Sequence, residues 1–400
     1  MKRKISLPAA ILIAFAAAFA AFAATYFVMG GLTVSPEKAH ARLYAEAERV
    51  ISSSFVGEAD GEDISDYAVA GMVAALDDKW SYYISPRELQ AYYMHVANSY
   101  MGIGVVFSYY DGEVIISSVY EVSPAAEAGI EAGSALISVN GKSAAGLNTT
   151  EAKELVQKCS EEDGELVFLL RLPSGEEKEY TLTEGTVENE PVGSFMLDSG
   201  YGYIQVLNFN YRSADGIISA CDELIGAGAE GLIFDLRNNP GGQVSELTAA
   251  LDHLMPEGVI FVSQHKGAQP EEIRSDAACI DLPMAVLVNA ESYSSAEYFA
   301  GLLQEAGRAI VVGEKTSGKG RAQSTLELSN GGALHISTME YYLPSGRSLA
   351  ETGVVPDVKA QLSEEAAQDL YYGLLPVDED SQLIAAEKAL AKRAASGISK

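Results

Sequence analysis

The chain has 400 residues, 48% of them hydrophobic, and a formal net charge of −29. That length allows about two or three folded domains, and the hydrophobic share excludes a chain that is disordered throughout. The acidic balance argues against nucleic acid as a partner, because phosphate binding needs clustered Lys and Arg.

Lys2, Arg3 and Lys4 precede an uncharged run from Ile5 to Pro36, rich in Ala, Phe, Ile and Leu. A spanning helix takes roughly 20 apolar residues, whereas the apolar part of a signal peptide takes about 7 to 15. The run is closer to the first, and positive charge stays on the cytoplasmic side. Residues 1–36 are therefore expected to be a cytoplasmic basic tip and a transmembrane signal anchor, making a single-pass cell-membrane protein whose bulk is extracytoplasmic. Cleavage, which would leave a secreted protein, is the alternative.

Residues 37–98 read as a helical region. The first helix, over 37–53, carries Leu43, Ala47 and Val50 on one face, either to stand the protein off the membrane or to pair with a second copy. A second helix is expected over 67–76, and a third begins at Ser85 and Pro86.

Residues 99–185 change to strands, MGIGVVFSY, EVIISSVY, SALISVNGK and ELVFLLRL, with one helix over 150–159. After Met101, the N–H groups of Gly102, Ile103 and Gly104 can form a nest for a terminal carboxylate while the strand beyond accepts a peptide by strand addition. The plainer reading is that the glycines permit a tight turn. The following SPAAEAGIEAGSALISVNG resembles the PDZ modules of bacterial proteases, departing from them at Ser134, where aspartate is usual.

From 186 onward strands alternate with helices, which implies an α/β layer. Helices are expected over 213–226 and 245–254. Between them, the turn Asn238-Asn239-Pro240-Gly241-Gly242 follows a buried strand, and its glycines let N–H groups face a ligand, or serve only a loop that needs positive φ. A strand over 284–288 then breaks into a helix over 296–303, with Ser292, Ser294 and Ser295 at the corner. Taken alone, that corner reads first as an ordinary serine N-cap.

A serine hydroxyl becomes a nucleophile only beside a base. The five histidines, His40, His95, His253, His265 and His335, lie outside any Gly-x-Ser-x-Gly context, and His253 and His335 read as structural. Lys319, between two glycines, is the other candidate. Lowering a lysine pKa to 7 or 8 by desolvation costs roughly 3 to 5 kcal/mol, within reach of burial. Gln323, four residues on, is placed to accept a hydrogen bond from the amine. A Ser-x-x-Lys motif at Ser35 to Lys38 lacks its companion motifs and is set aside. Cys159, Cys221 and Cys279 have no metal-site spacing and are expected as buried thiols, with one disulfide possible; no metal or other cofactor is expected.

VLVNAESYSSAEYFAGLL, VVGEKTSGKGRAQ, FDLRNNPGG and MEYYLPSGRSLAETGVVPD together resemble the C-terminal processing peptidases, or tail-specific proteases, over most of residues 37–365. The resemblance implies Ser294 as nucleophile, Lys319 as base with Gln323 beside it, and an oxyanion site built from Ser295 and Gly241 or Gly242. It also implies a multidomain α/β fold: a PDZ domain at 99–185, a serine protease core of the ClpP/crotonase-like type at 186–365 and a C-terminal helical extension at 366–400. The function implied is extracytoplasmic serine endopeptidase, taking protein or peptide substrates by their accessible C-termini. Tyr293 replaces the usual alanine, and Lys79 stands where LDDP is typical. A non-catalytic peptide- or ligand-binding protein on the same fold is the alternative, and a PDZ-only scaffold the third reading. The helix near 382–393 is expected either to self-associate into a homo-oligomer or to pack on the core.

Overall fold

The computed structural model describes residues 7–32 and 36–395; Lys2, Arg3, Lys4 and Ser35 lie outside them. The chain divides into a unit ending at Asp77 and a larger unit from Asp78 to Lys400.

The first unit is helical. Leu7–Leu32 forms one helix, within which Leu7–Thr25 is long and apolar enough to cross a membrane. Pro36–Ser54 and Gly61–Ala74 follow, tied by a 2.8 Å bond between the Tyr44 and Ser65 hydroxyls. Leu43 and Val50, on the apolar face of the first of these, are exposed. The helix expected over 67–76 starts earlier because Asp60 caps it, accepting from the N–H of Glu62.

In the second unit, Pro86–Val96 is a helix entered through a Ser85/Glu88 capping box. A two-stranded ladder, Ser99–Gly102 with Gly185–Glu188, brackets an antiparallel sheet in the order Val105–Tyr110, Glu113–Val119, Ala135–Val139, Leu166–Arg171, Glu177–Leu182. One helix, Thr149–Asp163, closes its core on Val139, Phe168 and Leu170. The run MGIGVVFSY is thus two strands, broken at Ile103 and Gly104; a Cβ on Gly104 would stand 2.1 Å from that of Ser123. Ser134, at the position of the usual aspartate, is buried and donates to the Glu131 carbonyl.

The rest is built on a six-stranded sheet, ordered Val192–Met196, Gly202–Val206, Leu232–Asp235, Met284–Val288, Ala309–Gly313, Val358–Lys359. Only the first pairing is antiparallel. Met284–Val288 is buried at every position because both faces are covered, as its unbroken apolar run requires. Ser213–Gly226, Val244–Leu254 and Ser295–Glu305 pack on one face. Ser381–Ala395 covers the other through Leu383, Ala386 and Leu390, so of the two readings of this helix the packed one holds in the structure. A second sheet, centred on Ala333–Tyr342, carries Arg321–Glu327, Gly258–His265 and the short strand Tyr82–Ile84. Cys159 and Cys221 are buried free thiols, but Cys279 is exposed, contrary to expectation, because it sits in the loop before Met284 rather than in an apolar strand.

At the end of Leu232–Asp235, Arg237 is buried between two acids. Its guanidinium bonds Asp235 and, at 3.0 and 2.6 Å, Asp380 at the start of the C-terminal helix; Tyr203 donates to Asp235 and Gln382 accepts from Arg237. Asp380→Ala removes one of the two counter-charges of a buried cation, and is expected to lower stability by about 3 kcal/mol in a urea titration.

Candidate active site

The three serines at the strand-to-helix corner have different surroundings. Ser292 is fully buried, donating to the Leu236 carbonyl at 2.7 Å and accepting from the N–H of Asn289 at 3.0 Å. The Ser295 hydroxyl donates to the Gly242 carbonyl at 3.1 Å, tying the corner to the Asn-Pro-Gly-Gly turn. Ser294 alone has its hydroxyl beside a phenol, that of Tyr341, at the wall of a cavity of about 280 Å³. Its backbone stands at φ 59° and ψ −121°, a conformation that L residues rarely adopt and that costs roughly 1–3 kcal/mol. A strained turn of this kind between a strand and a helix pushes one hydroxyl clear of both.

The buried carboxylate of Glu297 holds that corner. It accepts from the N–H of Ser294 (3.1 Å), the Thr316 hydroxyl (2.5 Å) and the N–H groups of Gly318 (2.6 Å) and Lys319 (2.8 Å). Four donors satisfy a charge that would be costly to bury alone. The reading of the sequence missed Glu297, although Ser294-x-x-Glu297 has the capping-box spacing that would have flagged it.

Lys319 is 9% exposed and lines the same cavity as Ser294, with its carbonyl accepting from the Tyr341 phenol. Burial lowers its pKa to about 8, Asp78 and Glu297 oppose the shift, and Lys79 adds to it. The amine lies 4.4 Å from the Trp80 ring centroid and 5.8 Å from that of Tyr293; among the described residues no hydrogen bond joins it to Ser294. Gln323 also lines the cavity, but its amide donates to the Arg321 carbonyl (3.1 Å) and the Ser337 hydroxyl (2.9 Å) rather than meeting Lys319. The expected Lys319–Gln323 contact is absent because both residues sit on Arg321–Glu327 or just before it, where the ladder with Ala333–Tyr342 draws Gln323 towards Ser337.

The turn at 238–242 is fixed by paired asparagines. Asn238 and Asn289 exchange backbone and side-chain bonds of 2.9 and 2.8 Å, and Asn239 donates to the Val206 carbonyl and accepts from the N–H of Gly241 at 2.8 Å. The Gly241 N–H is thereby occupied. The N–H groups of Gly242 and Ser295 have no partner among the described residues. A Cβ on Gly241 would lie 2.8 Å from that of Ser294 and one on Gly242 would strike the Phe209 backbone at 2.3 Å, so both positions require glycine. Of the two glycines weighed for an oxyanion site, Gly242 has the free donor.

His335, read from sequence as structural, faces this cavity. Its Nδ1 lies 3.0 Å from the Thr325 hydroxyl and 3.3 Å from that of Tyr92, and burial, with Lys319 adding to it, lowers its pKa to about 4. His95 is also in the lining. The other end of the expected machinery, Met101 to Gly104, lies apart from these residues. Among the described residues the N–H groups of Ile103 and Gly104 have no partner, and Met101 is half exposed. Among the described residues no cluster of three His, Cys, Asp or Glu side chains converges on a metal-sized space.

The model of Peptidase family S41 matches residues 200–360, and a PDZ-domain model matches residues 115–176. The chain is 29% identical over 374 residues to the carboxy-terminal processing protease CtpA of Bacillus subtilis, covering 92% of this chain and 79% of that protein. It is 28% identical over 320 residues to CtpB of the same organism, covering 78% and 66%. Among solved structures, a putative S41 protease from Bacteroides fragilis superposes with a TM-score of 0.54 at 17% identity, covering 86% of this chain and 96% of that one, which shows a shared fold.

Glu297→Gln would turn an N–H2 group towards donors that need an acceptor. It is expected to lower stability by about 1–3 kcal/mol in thermal unfolding, and to slow fluorophosphonate labelling of Ser294 about a hundredfold through misplacement of the corner.

Proposed function

We propose that the chain is a serine-type peptidase of the family S41 kind with a PDZ domain ahead of the peptidase core, and that it is a membrane-anchored extracytoplasmic endopeptidase acting on proteins recognised by their C-terminal tails. In this reading Ser294 is the nucleophile and Lys319 the general base. The observation that carries it is one cavity holding a hydroxyl on a strained corner, a buried lysine with depressed proton affinity and two free N–H groups.

The neutral Lys319 amine takes the Ser294 proton as the oxygen attacks the scissile carbonyl. The oxyanion that forms is stabilised by the N–H groups of Gly242 and Ser295. Lys319 then gives its proton to the leaving amine, and water hydrolyses the ester by the same steps in reverse. The free N–H groups at Ile103 and Gly104, with Met101 and Gly102 before them, support capture of a terminal carboxylate by the domain at 99–185. The apolar helix Leu7–Thr25 behind a basic tip supports the anchor. The parallel strands, with helices on both faces, support a core of the ClpP/crotonase-like type.

Because the base must be neutral, kcat/KM for an unstructured C-terminal tail is expected to rise with pH and reach half its plateau near pH 8. A profile flat from pH 6 to 9 would remove Lys319 from the role. Ser294→Ala and Lys319→Ala are each expected to remain folded by circular dichroism and to lose roughly 10⁴-fold or more in kcat. Parental cleavage by either variant would sink the mechanism.

A further inference from the structure

Lys319 is held by its backbone and left free at its amine. Its N–H bonds Glu297 and its carbonyl accepts from Tyr341, so the main chain is clamped from two sides. Among the described residues no hydrogen bond or ion pair reaches Nζ. Its close contacts are two ring faces, Trp80 with centroid at 4.4 Å and Tyr293 at 5.8 Å. The rings touch each other, with centroids 5.4 Å apart and planes inclined at 36°.

Both rings stand on fixed backbone. Asp78 accepts from the N–H of Trp80 at 3.3 Å and from the Ser81 hydroxyl at 2.6 Å, the Ser81 hydroxyl in turn accepts from the N–H of Ser337, and Tyr82–Ile84 pairs with Ala333, Leu334 and His335 at the start of the strand Ala333–Tyr342. Tyr293 donates its N–H to the Asn239 carbonyl at 3.2 Å. Two separate segments, one before the helix Pro86–Val96 and one at the serine corner, therefore converge their aromatic side chains on one amine.

We propose that Trp80 and Tyr293 are the positioning residues of the base, a two-ring wall that fixes where the Lys319 amine sits in the cleft and keeps water from it. The proposal rests on the reading of Lys319 as base. Ring faces suit this task because they hold an amine without accepting its proton or supplying a rival acceptor to Ser294. An acid in the same place would pair with the ammonium and keep it charged.

The two rings act in opposite directions on the proton. Their quadrupoles favour the ammonium, whereas their bulk excludes the water that would solvate it. Around the amine, Asp78 and Glu297 favour the cation, Lys79, itself 4.5 Å from the Trp80 centroid, disfavours it, and His335 and the phenols of Tyr293 and Tyr341 are neutral. Exclusion of water is the largest influence on Lys319. Opening the wall therefore raises the proton affinity of the amine.

Trp80→Ala is expected to move the acid limb of kcat/KM up by about one pH unit, which is about a tenfold loss at pH 7. Trp80→Phe is expected to bring the limb back to within about 0.3 unit of the parent, because a wall is restored. Tyr293→Ala is expected to move the limb in the same direction by less, and serves if Trp80→Ala does not fold. A second readout needs no turnover: in the Ser294→Ala background, the pH midpoint of Lys319 acetylation by acetic anhydride, read by peptide mass spectrometry, should rise by the same amount on Trp80→Ala. An unmoved midpoint and an unmoved limb, or a limb that Phe does not bring back, overturn the positioning role. Parental activity in Lys319→Ala would instead overturn the base assignment, while the acetylation midpoint would still decide whether the rings control the amine.

Discussion

The carboxylate of Glu297 is the point at which the serine corner and the glycine-rich loop at 316–319 meet. It receives the N–H of Ser294 from the serine corner, the N–H groups of Gly318 and Lys319 from the glycine-rich loop, and the hydroxyl of Thr316, which also accepts from the N–H of Val354. A buried charge tolerates such a position only when its acceptor sites are filled, and filling them fixes the donors in turn. The positive φ of Ser294 is held in place by these bonds and by the fit of Gly241 against the corner. The placement of Ser294 relative to Lys319 thus depends on the buried carboxylate of Glu297.

The same burial has different consequences for the two basic side chains of the cleft. Lys319 is brought to a proton affinity useful near neutrality, whereas His335, starting lower, is left neutral and tied to Thr325 and Tyr92. A histidine beside a candidate serine is for that reason no rival as base. Desolvation acts on every cation in the cavity, and the ordinary pKa of each decides which becomes useful. On the far face of the sheet, Arg237 stays charged because two carboxylates and Gln382 surround it, so the helix Ser381–Ala395 is anchored by charge at its start and by Leu383, Ala386 and Leu390 along its length. The turn that offers the Gly242 N–H begins one residue beyond that arginine.

The elements were largely legible from local pattern. The strand Met284–Val288, the helix Ser213–Gly226 and the Ser85-Pro86 start stand where periodicity and capping put them. Asp60, by contrast, starts its helix earlier than the apolar pattern suggests, and Cys279 is exposed where an apolar residue type suggested burial. In both cases a polar or loop context of a few residues outweighed composition.

Sequence by itself determined the order of elements, the apolar N-terminal run and the short motifs that mark out Ser294, Lys319 and the glycine turn, because period, turn chemistry and motif spacing are local properties of the chain. Tertiary structure alone decided which of three serines sets its hydroxyl beside the Tyr341 phenol, that among the described residues the Gly241 N–H is taken while that of Gly242 is free, that Gln323 bonds Ser337, and that Trp80, Tyr293 and His335 lie around Lys319. Those outcomes are set by hydrogen-bond competition and exclusion of water among residues far apart in the chain, which no local pattern encodes.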